Sequence, residues 1–68
     1  MIYSIDVGWS PGRPITPDAR WTRVHVRQPD SFAGAAMAMT DAAQMVHLIH
    51  NAAMVTSTKI VSWREDPK

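Results

Sequence analysis

The sequence predicts an α+β fold: a small β-β-α-β domain with a three-stranded, mainly antiparallel sheet and one long helix packed on one face. Three observations carry this. Two segments in the first half alternate apolar and polar residues, a long Pro-free segment rich in Ala and Met fills the middle, and a β-branched run follows it.

The first strand is expected at residues 2–9. Tyr3, Ile5, Val7 and Trp9 fall on one side, and Ser4, Asp6 and Gly8 on the other with Ile2. Residues 10–19 hold three prolines and a glycine, which fix φ and remove donors, so they read as a loop. The second strand, residues 20–28, sets Thr22, Val24 and Val26 opposite Trp21, Arg23, His25 and Arg27. Pro29 ends it, and Asp30 or Ser31 offers an oxygen to the free amides of a helix start.

The helix is expected over residues 31–53. Of those 23 residues, 15 are Ala, Val, Ile, Leu, Met or Phe, and Asp41 is the only carboxylate or full-time cation among them. A stripe of Phe32, Ala36, Met39, Ala43, Val46, Ile49 and Ala53 offers a face for the sheet, although which face meets it stays open because both are apolar. The remaining surface, with Met37, Ala38, Met45 and Leu48, is then too apolar for water and is assigned to an interface. A third strand, residues 54–64, is expected beside the first and parallel to the second. Its register is open, because Ile60 and Val61 are adjacent and cannot both point inward. Residues 65–68 form a polar tail.

With 68 residues the chain is one domain, residues 1–68, near the margin of independent stability. It has no cysteine, so disulfides and thiolate zinc sites are excluded and a reducing cytoplasm is the expected setting. No apolar run approaches the roughly 20 residues a bilayer span needs. The amino-terminal stretch has Asp6 and no basic region, so it is not read as a signal peptide. Two of the seven basic residues are lysine, a bias that suits a GC-rich genome such as that of an actinobacterium or its phages.

Candidate chemistry is sparse. His47 and His50 lie three apart, and with His25 or Asp41 they could gather round a metal, but the spacing matches no metal motif and no metal is assigned. Ile5-Asp6-Val7-Gly8, followed by Ser10 and Gly12, resembles the first strand of actin-like ATPases and of RuvC-like nucleases. That resemblance implies an Asp6 bound to a divalent metal. The later acids Asp41, Glu65 and Asp66 match no further part of those patterns, so Asp6 is expected to end a strand or pair with an arginine. No catalytic residue and no cofactor is assigned. The function expected is a non-enzymatic protein–protein interaction module, bound to itself as a homodimer or to a bacterial host protein as a phage accessory protein would be. Its contacts would be the helix and a Trp-bearing sheet face carrying Trp21, or Trp9 and Trp63. The alternative is nucleic acid, held by Arg13, Arg20, Trp21, Arg23, His25 and Arg27. No membrane partner is expected.

Overall fold

The computed structural model of the chain describes residues 1–11, 20–51 and 54–67. Strand β1 (Ile2–Ser10) is followed by β2 (Arg20–Arg27), helix α1 (Phe32–Ile49) and β3 (Met54–Arg64). The sheet order is β2-β1-β3, and both pairings are antiparallel. The two outer strands therefore run parallel to each other on either side of β1, the placement expected from the sequence. Arg13 and Ala53 lie outside the described residues.

Alternation places the side chains. Tyr3, Ile5, Val7 and Trp9 are buried under the helix with Val24 and Val26 of β2, so the core sits on one face of the sheet. On β3 the register jumps twice, between Ser4/Ile5 and between Gly8/Trp9 of its partner. The first jump leaves Val61 out of the pairing between Ile60 and Ser62, and the second leaves out Thr56. A bulge is thus how the adjacent Ile60 and Val61 are accommodated: Ile60 packs on the core and Val61 does not. Thr56 uses its place to donate from Oγ1 to the Gly8 carbonyl at 3.1 Å.

The helix starts at Ser31, whose Oγ accepts from the Gly34 amide at 2.9 Å, so Ser31 and not Asp30 is the cap. It ends at Ile49, four residues short of the expected end, with the His50 amide donating to the Val46 carbonyl. The face it turns to the sheet shares Val46 and Met39 with the stripe read from the sequence but is otherwise rotated away from it. Gly34, Ala38, Ala42 and Val46 are its buried residues, flanked by Ala35, Met39 and Met45. Phe32 and Ile49, both on that stripe, are 94% and 60% exposed, and Ala36 is exposed too. The helix takes this orientation for a physical reason. The line of closest approach to a sheet selects the smallest side chains, and the i, i+4, i+8 series 34-38-42 supplies them. Ala38, expected at an interface, is consequently fully buried within the chain, and Met45 packs on the same core.

No helix among the described residues is long and apolar enough to cross a membrane.

Candidate functional site

Four surfaces carry the residues singled out by sequence. On the open sheet face, Trp21, Arg23, His25 and Arg27 project from β2 and are all exposed. Trp21 lies across Gly8, its register partner, where a Cβ would stand 3.2 Å from the indole ring. Arg23 donates through Nε and a terminal nitrogen to the two oxygens of Asp6, at 2.7 and 3.1 Å. This fork holds the Asp6 carboxyl below the usual carboxylate range, chiefly through the Arg23 hydrogen bond, and raises the guanidinium in turn. Asp6 is therefore engaged by an arginine, the alternative to the metal role implied by the actin-like resemblance. His25 Nδ1 and Ser4 Oγ are 2.9 Å apart. Asp66 pairs with the Met1 ammonium at 2.8 Å and with Arg27 at 2.9 Å, and its carboxyl is lowered, first of all by the amino terminus.

Arg20 does not belong to that face. It opposes Trp9 in the register and lies on the helix side, its guanidinium 5.4 Å from the Trp9 ring centroid. Trp9 itself is buried and stacks on His50, with centroids 4.1 Å apart and planes 19° apart. Its indole Nε1 donates to Thr22 Oγ1 at 2.9 Å, and the same hydroxyl lies 3.4 Å from His50 Nε2. Trp9 is thus a tie between the sheet and the helix end, not the surface contact expected of it. The three histidines are spread apart: His25 on the open sheet face, His47 on the outer helix surface and His50 against Trp9. Among the described residues no three His, Cys, Asp or Glu side chains gather into a metal-holding group.

The third surface is the outer flank of α1. Ala33, Ala36, Met37, Thr40, Gln44, His47 and Leu48 are all exposed, and none is Asp, Glu, Lys or Arg. Met37 is 54% and Leu48 85% exposed, so these two of the four predicted interface residues stand in water. Asp41, on the side nearer β2, accepts from Gln28 Nε2 at 2.7 Å.

The fourth surface was not read from the sequence. A groove of about 280 Å³ opens between the start of α1 and the end of β3, lined by Tyr3, Asp30, Ser31, Ala35, Ile60 and Trp63. Trp63 faces the helix side because it pairs with Tyr3 across the sheet, and it is 65% exposed there. The Val61 bulge sets that facing, and the only trace of it in the sequence is the adjacent apolar pair Ile60 and Val61.

Comparisons with protein-family models, with curated proteins and with solved structures return no match.

Proposed function

We propose that this chain is a small interaction module that works by binding and not by catalysis, and that it pairs with a second copy of itself along the side of α1 where its outer flank meets the edge nearer β2. The observation that carries the reading is a stripe at spacings of four, three and four: Met37, Asp41, Gln44 and Leu48. Such spacing makes a seam along which two helices interlock. About a two-fold axis between Asp41 and Gln44, an antiparallel copy sets Met37 against Leu48 and Asp41 against Gln44. Each apolar end then meets an apolar end, and each carboxylate meets an amide.

Local chemistry supports this pairing. Asp41 spends one oxygen, Oδ2, on Gln28, which leaves Oδ1 for a Gln44 amide from the other copy. No like charges oppose each other along the seam, and Ala33 and Thr40 beside it permit close approach. Binding in place of catalysis is supported by Asp6 and by Asp66, just past β3, since both are tied to cations. The same pairs draw Arg23 and Arg27 away from phosphate, which weighs against nucleic acid.

An 18-residue helix is about 27 Å long, and one flank of it falls short of the roughly 800 Å² per partner of a standard interface. A weak, concentration-dependent dimer is therefore expected. Sedimentation equilibrium across a wide concentration range tests it: the mass should rise toward two chains, and Leu48→Glu should return it to one. A wild type that stays at the mass of one chain throughout would refute self-association.

A further inference from the structure

We propose that the groove between the start of α1 and the end of β3 binds the guanidinium of an arginine carried by a partner protein. Its walls are mostly carbon: Tyr3 and Ile60 from the sheet, Ala35 from the helix, and the exposed indole of Trp63. With a volume of about 280 Å³ it suits one long side chain better than a cofactor.

The polar groups at the groove decide what that side chain must be. The Tyr3 hydroxyl donates its hydrogen to the Pro29 carbonyl at 2.9 Å, which leaves its oxygen to act as an acceptor. Pro29 O also receives the Ser31 amide at 2.9 Å, and Ser31 Oγ is engaged by the Gly34 amide. Asp30 forms no hydrogen bond or ion pair among the described residues and is exposed, so its charge is free to pair. What the groove offers is lone pairs, one negative charge and a flat aromatic face. A neutral apolar group would leave the charge unused, and an anion would meet Asp30. A guanidinium is planar, carries five donors, stacks on indole and is weakly hydrated, so it satisfies all three features together. Lysine matches the charge but not the plane.

The site is separate from the α1 seam. Groove and seam lie on opposite flanks of the helix: Ala35 lines the groove together with Ile60 and Trp63 of β3, whereas Asp41 is held by Gln28 beyond β2. Each can therefore fail without the other.

The test titrates Nα-acetyl-arginine amide into the full 15N-labelled chain and follows the three indole N–H signals. The Trp63 signal should move in a saturable way while those of Trp9 and Trp21 stay in place. The neutral isostere Nα-acetyl-citrulline amide should not bind, and the lysine analogue should bind more weakly. Asp30→Asn should weaken arginine binding about tenfold, as loss of a charge-assisted contact does. Trp63→Leu should abolish the stacking contribution, with unmoved Trp9 and Trp21 signals as the check on folding; Asp30, exposed and unbonded, gives the decisive variant should that one unfold. Leu48→Glu should leave arginine binding unchanged whatever it does to the chain's mass. Equal binding of citrulline, an unaffected Asp30→Asn variant, or uptake of inorganic phosphate in place of arginine would each overturn the proposal.

Discussion

Gly34 in the first turn of α1 stands directly against the backbone carbonyl of Pro29. A Cβ at Gly34 would overlap the Pro29 oxygen, lie 2.9 Å from its carbonyl carbon and meet Ser31 Oγ at 3.1 Å. That carbonyl is fixed from two sides, by the Tyr3 hydroxyl and by the Ser31 amide. It cannot withdraw without breaking the link from β1 to the helix start.

Gly34→Ala is therefore expected to destabilise, although alanine is the better helix former by about 1 kcal/mol. Moving the helix start off the sheet costs more than this gain, and a net loss of about 2–3 kcal/mol is expected. Urea denaturation followed by circular dichroism measures it. A variant as stable as the wild type would show that the Pro29 carbonyl yields freely.

Ala38 and Leu48 separate the two sides of the same helix. Ala38 is fully buried and Leu48 is 85% exposed. A glutamate at 38 would bury an unpaired charge, which costs several kcal/mol and should unfold so small a domain. At 48 it would stand in water, and the monomer's stability should change by less than about 0.5 kcal/mol. Thermal melts at low concentration, where self-association is absent, read both. Equal damage from the two substitutions would mean that the helix is rotated from the orientation described.

How far the sequence reveals this molecule depends on the element. In the strands the period of two has a single solution, so Tyr3, Ile5, Val7, Val24 and Val26 were legible as core and Arg23, His25 and Arg27 as surface. In the helix, apolar residues lie all round, and pattern alone ranks the largest first. That ranking drew Phe32 inward, whereas contact with the sheet rewards Gly34, Ala38 and Ala42. The groove was illegible for another reason. Asp30 and Trp63 are far apart in the chain, and only the Val61 bulge turns Trp63 toward the helix side.

Asp6 of β1 and Asp66, just past β3, predict how stability responds to acid. Asp6 and Asp66 both titrate below the ordinary value of 3.8 in the folded chain. A depressed folded pKa contributes stability above the unfolded value, and that contribution is lost as pH falls through the folded one. The contribution of these two carboxylates should thus be fully present above about pH 5 and decline from about 4 downward. Asp6→Asn should flatten part of the decline. Because Arg23 carries its side of the Asp6 pair in solvent, the flattening should shrink in high salt. A denaturation midpoint with the same acid dependence in wild type and variant would remove Asp6 from the account.

Thr22 supports the last prediction, because one hydroxyl serves two rings. It accepts the indole proton of the buried Trp9 and lies within reach of His50, whose ring stacks on that indole. Thr22→Val keeps the shape and removes the acceptor, leaving a shielded indole N–H without a partner. A loss of about 1–3 kcal/mol is expected, the cost of an unsatisfied buried donor. His50→Ala removes the stacked ring instead. It should expose Trp9 to water and shift its fluorescence to longer wavelength, in a background of Trp21→Phe and Trp63→Phe that leaves Trp9 as the only indole. The two effects should be non-additive, since both act on the hold that Trp9 has between sheet and helix end. A double variant whose loss equals the sum of the two single losses would mean that the hydroxyl and the imidazole hold Trp9 independently.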